Sequence, residues 1–334
     1  MRVLGRRTGE GATGWLGHYR ARDGSAGGRV GVDLDGPHAV AVVGKRGSGK
    51  SYTLGVLAEE VRATDGVVPV VLDPMDALGE LPGAGRPAPR VRATALPPRS
   101  WPALLGLDAA SSAGALVWQA AEAAETLAGM RAFVDEATAT GGAARAAANH
   151  LRLAASWGVF DPDGLTADRL TDGATVLDCS GLARAPLNAV ASVVATALFE
   201  AGAAGGPLPW LLVDECHALF DGVAAPALER LLTRGRQPGV SLVLATQRPA
   251  ALPDVAVSQA DLLVAHRLTG AADRNRLVSA RPGYLTESLA TRLPERPGEA
   301  LVVDDASEAV HPVRVRERDA RHGGDSPRAS GGHR

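Results

Sequence analysis

The sequence predicts an α/β fold built on a mostly parallel sheet, and three observations carry that prediction. Short apolar runs end at a glycine or an acid, as in His38–Val43 before Gly44 and Val67–Leu72 before Asp73. Between these two runs lies a stretch with helical spacing, Ser51–Arg62, whose Leu54, Leu57, Ala58 and Val61 share a face. The runs are also continuous rather than alternating, which is the pattern of strands covered on both faces.

The remaining elements follow in order. Residues 1–36 are rich in Gly and Arg, with short strands expected around Trp15–Tyr19 and Val30–Leu34. They read as lead-in strands rather than a domain. The main domain is expected over 37–316. Residues 75–170 interrupt it, first as a Pro- and Arg-rich loop and then as an Ala-rich helical insertion over 111–156, with a break at Gly141 and Gly142. The core resumes at Ala174–Asp178. A long helix near Leu187–Ala201, a strand at Trp210–Val213 and a helix near Ala225–Leu232 come next. Strands at Val240–Ala245 and Leu262–Ala265 precede a C-terminal strand pair, Glu299–Val303 and Val310–Val315. Residues 317–334 are charged, contain Gly and Ser, and are expected to be disordered.

Composition excludes several classes. The chain has 334 residues and a formal charge of −2, so no global basic field draws it to nucleic acid or anionic lipid. Any polyanion must meet a local patch. The Arg-rich loop Arg86–Arg99 is one candidate, with a solvated loop as the plainer reading. The two cysteines, Cys179 and Cys216, have no disulfide or zinc spacing and read as small buried thiols. The N-terminus lacks the apolar run of a signal peptide, and no span of membrane-crossing length is uninterrupted, so a cytoplasmic location without a membrane span is expected. No base-reading element is apparent.

Of 35 basic residues only two are lysines, Lys45 and Lys50, and both lie in one loop. That loop, Gly44-Lys45-Arg46-Gly47-Ser48-Gly49-Lys50-Ser51, matches G-x-x-x-x-G-K-[ST] in full, between a strand and a helix. Glycines let successive N–H groups face a phosphate, and the helix N-terminus adds positive potential. Gly44 through Tyr52 are therefore the expected nucleotide-binding residues. Lys50 is expected at the β and γ phosphates of ATP and Ser51 on Mg²⁺.

A second apolar strand ends in Asp214-Glu215. Read alone, two such acids also cap helices. Downstream of a complete phosphate loop, Asp214 reads as the second Mg²⁺ ligand and Glu215 as the base that polarises water. An acid in that second place favours hydrolysis over transfer to a small molecule. A third strand ends in Thr246-Gln247, where an amide can sense the γ-phosphate or, more blandly, close a turn. Arg234 and Arg236 precede that strand; one of them, with Arg236 preferred, is a candidate arginine finger, and a solvated arginine is the alternative. His217 is open between a coupling role and a capping or buried one.

Taken together, GKRGSGKS, VLDP, VLDCSGL, LLVDECHALF, GRQPGVSLVLATQRP and AHRLTGAADRN resemble the HerA/FtsK superfamily of P-loop ATPases, over roughly residues 30–316. HerA-type motors are the nearest in pattern. The resemblance implies a RecA-like core, ATP and Mg²⁺ as cofactors, and a homo-oligomer, specifically a hexameric ring. It gives Lys50, Ser51, Asp214 and Glu215 to ATP binding and hydrolysis, Gln247 to sensing and Arg236 to the next subunit. It also implies translocation on double-stranded DNA without sequence preference, and a nuclease partner. The chain departs from that pattern in having only about 35 residues where HerA motors carry an N-terminal barrel. Two other roles stay open: a related ATPase acting on protein, as in secretion or pilus systems, and a nucleotide-gated switch.

Overall fold

The computed structural model describes residues 1–334 apart from 22, 79, 138–141, 280–292 and 321–334. Its strands are β1 (Arg2–Leu4), β2 (Thr13–Arg20), β3 (Ala26–Asp33), β4 (Ala39–Val43), β5 (Val67–Asp73) and β6 (Thr175–Asp178). β7 (Leu208–Val213), β8 (Ser241–Thr246), β9 (Leu262–Ala265), β10 (Glu299–Asp304) and β11 (Ala309–Val315) follow. All eleven form one sheet, in the order β1-β3-β2-β11-β10-β9-β4-β8-β7-β5-β6.

The half from β9 to β6 is parallel throughout. The apolar runs make this possible. Val40 to Val43, Val70 to Leu72, Leu211 to Val213 and Leu242 to Ala245 are all buried, so these strands need cover on both faces. Helix α1 (Lys50–Arg62) and the first strands cover one face. The other face meets the helical insertion, which comprises α2 (Trp101–Leu104), α3 (Ser112–Ala123), α4 (Leu127–Glu136), α5 (Gly142–Ser156) and α6 (Ala167–Thr171), together with α7 (Arg184–Ala204) and α8 (Ala225–Arg234). Short α9 (Asp254–Ser258) and α10 (Ala271–Ser279) flank β9. In the other half, β10 pairs with β9 and β11, β11 with β2, and β2 with β3, all antiparallel, and only β1 at the edge pairs in parallel, with β3. The C-terminal pair therefore joins the N-terminal strands to the parallel core. The sheet is α/β and mostly parallel, as the sequence predicted.

The helical insertion departs from the expected single break. The chain also interrupts the helix at residues 124–126, where Thr126 Oγ1 accepts Gly129 N at 3.0 Å and starts α4 afresh. The break expected at the glycine pair falls mostly outside the described residues, and α5 begins at Gly142. The stretch before it is less of an open loop than its Pro content suggests. Trp101 is buried there, 4.8 Å from the Phe160 ring.

Among the described residues one helix, α7, is long and apolar enough to cross a bilayer. It lies inside the core, with Val190, Val193, Val194 and Leu198 buried. The residues just after β11 also correct an expectation. Residues 317–320 are not loose but lie on α1: the Arg318 guanidinium donates to Glu59 Oε1 at 3.1 Å, and the Asp319 and Ala320 N–H groups bond the same carboxylate. Arg316 adds contacts to Glu59 at 2.9 Å and Glu60 at 2.7 Å. Buried charges of this kind persist because each finds a partner. The rest of the expected tail, 321–334, lies outside the described residues.

Candidate functional site

The site forms where β4 ends and the chain turns into α1. Gly44 is required by close approach: a Cβ there would lie 2.5 Å from Ser48 Oγ and 2.6 Å from His266 Cβ. Gly49 caps α1 at φ 114°, a left-handed conformation that a larger residue resists. Two outside segments hold the loop by its main chain. Lys45 N donates to Arg267 O at 2.9 Å, and Gly298 N donates to Ser48 O at 3.2 Å. Lys50 opens the helix, only 5% exposed, with its ammonium 3.4 Å from Lys45 O. Burial lowers its pKa, and the nearby Glu215 and Asp214 charges oppose that shift.

Asp214 and Glu215 follow β7, two strands from β4. Asp214 is buried; its Oδ1 accepts Glu215 N at 2.8 Å, and its Oδ2 has no hydrogen bond. Glu215 sits at φ 46°, ψ 39°, a left-handed conformation that a non-glycine residue keeps only when its surroundings enforce it. Its carboxyl pKa is raised, by burial first and by the Asp214 charge second; Lys50, the Gln247 N–H and Arg248 pull the other way. His217 Nδ1 lies 3.3 Å from Glu215 Oε2 but bonds Thr246 Oγ1 at 3.1 Å, leaving Glu215 Oε2 without a hydrogen bond. Burial, aided by neighbouring cations, lowers the His217 pKa, so the ring is neutral near pH 7. It thereby links the acid pair to the end of β8.

A cavity of about 590 Å³ opens between these elements. Arg46, Gly47, Gly49, Lys50, Ser51, Tyr52, Glu215 and Gln247 line it, joined by Met75, Ala77, His217 and Ala218. Gly44, Ser48 and Asp214 are buried and, like the half-buried Lys45, do not line it. The fold thus brings the phosphate loop, the acid pair and Gln247 to one place, the carboxyl edge of the parallel strands, where open α/β sheets bind ligands. Arg236 is not brought there. It lies just beyond the start of α8's following turn, 73% exposed, donating to Asp261 Oδ2 at 3.1 Å beside the first residues of β4.

Several supporting residues escaped the sequence reading. His266, fully buried after β9, donates from Nδ1 to Glu299 O at 2.8 Å and accepts from Thr53 Oγ1 at 2.9 Å. Burial pushes its pKa down to about 4, so it packs as a neutral ring against Gly44 and Gly49. Asp73 is buried at the end of β5, accepting three N–H groups from Met75, Ala77 and Leu78. Burial raises its pKa despite those bonds. The only signals for the two were the AHRLTG and VLDP strand ends. Both cysteines are buried free thiols, Cys179 with its pKa pushed up to about 12 by burial.

The donor set fits a nucleotide phosphate chain and a hard cation. Ser48 Oγ, Asp214 Oδ2 and Glu215 Oε2 are buried without partners, and such groups are rare unless something completes them. Among the described residues no three His, Cys, Asp or Glu side chains converge on a metal position. That suits Mg²⁺, which takes one or two protein ligands and completes its shell from phosphate and water.

Comparison with solved structures places this arrangement in a known fold. VirB4 of Thermoanaerobacter pseudethanolicus aligns with a TM-score of 0.70 at 18% identity, over 93% of this chain and 98% of that one. The bacterial conjugative coupling protein TrwB, unbound, aligns at 0.60 and 15%, over 85% and 87%. TrwB in complex with ADP and Mg²⁺ gives 0.60 and 16%, over 85% and 86%. The chain has a RecA-like P-loop fold. No protein-family model and no curated protein sequence matches it. The fold is the one that the resemblance read from the sequence implied.

Proposed function

We propose that this chain is an Mg²⁺-dependent ATPase of the HerA/FtsK type, working in the cytoplasm as a homo-oligomeric ring on double-stranded DNA. The observation that carries the reading is the meeting of Lys50, Ser51, Glu215 and Gln247 in one cavity, with buried Asp214 adjoining Glu215, while three buried oxygens lack partners. The likeness to TrwB, a plasmid coupling protein with a structure containing ADP and Mg²⁺, supports both the nucleotide and a DNA substrate.

In this reading the N–H groups of Gly44–Ser51 wrap the phosphates and Lys50 neutralises the β and γ oxygens. Ser51 and Asp214 hold Mg²⁺, which when bound supplies charge neutralisation at the transferring phosphoryl group. Glu215 takes the proton of the attacking water, and its raised pKa makes it a stronger base than a solvated glutamate. Gln247 orients that water. Arg236 serves the neighbouring subunit of a hexamer; its exposure and its distance from its own cavity support a role in trans.

ATP turnover of wild type and Glu215→Gln, with and without double-stranded DNA, tests the proposal. Glu215→Gln should lower turnover by about 10²- to 10⁴-fold while ATP still binds. DNA should raise wild-type turnover in a salt-sensitive way. A variant as active as wild type would remove Glu215 from the chemistry. Turnover that needs Glu215 but ignores DNA would keep the ATPase and move the substrate to a protein, as in the secretion-like alternative.

A further inference from the structure

A polyanion site needs charge that the fold leaves uncompensated. The Arg86–Arg99 loop does not supply it in one place, because of its four arginines Arg86 pairs with Asp76 and Asp178 and Arg90 pairs with Asp161, which leaves only Arg92 and Arg99. A second cavity of about 590 Å³ does. Arg267, Arg274 and Arg296 line it, together with Leu268 and Pro294 and with Glu295 as the one acid among the described residues of its wall. All three arginines are exposed, and among the described residues no carboxylate pairs with any of them. In a chain of net charge −2, three unpaired guanidinium groups around one cavity form a local anion site.

Position makes the patch more than a solvated face. Arg267 is the residue whose carbonyl accepts Lys45 N, and Arg296 stands two residues before Gly298, whose N–H holds Ser48 O. The two segments that present the arginines are therefore the two that grip the phosphate loop from outside. Whatever draws the arginines together pulls on both grips. Among the described residues no aromatic side chain lines the cavity, so none of them offers bases a stacking face, and the contact that they make is to the sugar–phosphate backbone. Four of the seven described lining residues are charged, unlike the apolar centre of a protein interface.

We infer that Arg267, Arg274 and Arg296 form a backbone-binding patch for a nucleic acid, coupled through Arg267 O and Gly298 N to the phosphate loop. The inference rests on the DNA-motor reading and adds where the polymer meets the subunit and how its presence reaches the ATP site. It predicts that DNA stimulation and basal turnover separate, since neither Arg274 nor Arg296 touches the nucleotide cavity.

The test uses the full chain and a short fluorescent duplex of mixed sequence. Binding is followed by anisotropy across a salt series, beside ATP turnover. Arg274→Ala with Arg296→Ala should lower the slope of log affinity against log salt by about 2, one per lost phosphate contact, and abolish DNA stimulation with basal turnover intact. Arg274→Lys with Arg296→Lys should keep most of the slope, because charge and not shape is read. Arg92→Ala, an exposed arginine of the other loop, should change nothing. An alanine pair that binds with the wild-type slope overturns the patch alone. Loss of basal turnover with DNA binding unchanged also overturns it, and assigns the arginines to nucleotide phosphates. A wild type that binds no duplex overturns both the patch and the DNA substrate.

Discussion

The two edges of the parallel strands each carry a cavity lined with charge, and they differ in what those charges touch. At the amino edge, beside a cavity of about 290 Å³, charges alternate along a chain of contacts. Arg6 pairs with Asp33, Asp33 with His38 at 3.3 Å, His38 with Asp261 at 3.0 Å, and Asp261 with Arg236 at 3.1 Å. At the carboxyl edge, Ser48 Oγ, Asp214 Oδ2 and Glu215 Oε2 are buried and unmatched, and Glu215 holds a left-handed backbone. Burial is similar in the two places apart from Arg236, which is 73% exposed. Satisfaction differs. The buried Asp33 and His38 and the mostly buried Asp261 join β3, β4 and the loop before β9 and so act as structure, with exposed Arg236 at the end of the chain. An open network stores unmet hydrogen-bonding capacity and strain, which a ligand can relieve.

That contrast can be broken most sharply at Glu215. Because its pKa is raised, ionising it in the folded state costs stability, and Glu215→Gln should melt above wild type while losing turnover. A scanning calorimeter and an ATPase assay read the two effects. A variant that loses stability and activity together would place Glu215 with the structural charges instead. The sign for turnover is separate: the base works only when ionised, so activity should rise with pH through that raised pKa and fall below it.

His38 is the matching probe at the amino edge. Burial alone would lower its pKa, but the hydrogen bonds and charges of Asp261 and Asp33 outweigh burial and lift it from 6.5 to about 9. A raised pKa means that the folded state binds the proton more tightly. The stabilisation is full below about pH 6.5 and is lost as pH rises through about 9. It amounts to roughly 3 kcal/mol. Urea midpoints of wild type and His38→Gln at pH 6 and pH 10 measure it. The gap between them should shrink at pH 10; a constant gap would mean that no proton holds these strands together.

Legibility in the sequence followed the same division. The phosphate loop is eight consecutive residues, so its chemistry and its place between strand and helix were readable directly. Asp214 and Glu215 were readable because a continuous apolar run delivers its last residues to the carboxyl edge. His266 was not. Its value comes from the antiparallel pairing of β9 with β10, which brings Glu299 O to its ring, and no local spacing encodes that partner. Arg236 shows the converse limit, since its residue type and position in the chain were legible but its contact with Asp261 was not. The break before α4 was hidden because nothing in the Ala-rich stretch stops a helix except the capping hydroxyl of Thr126.

Arg86 gives the smallest effect and the finest discrimination. The sequence marked its loop as a phosphate-binding candidate on composition alone. In the fold its guanidinium lies 2.9 Å from Asp76 and 3.7 Å from Asp178, with all three side chains substantially exposed. An exposed ion pair contributes only about 0.2–1 kcal/mol, so Arg86→Ala should shift a urea midpoint slightly or not at all. It should leave the salt dependence of DNA binding unchanged, because a guanidinium already facing two carboxylates has little left for a phosphate. If Arg86→Ala instead lowered the salt slope as far as loss of Arg274 does, pairing would not decide which arginines meet a polyanion. The distinction between matched and unmatched charge would then fail on the surface, even if it held in the buried sites at the two edges of the sheet.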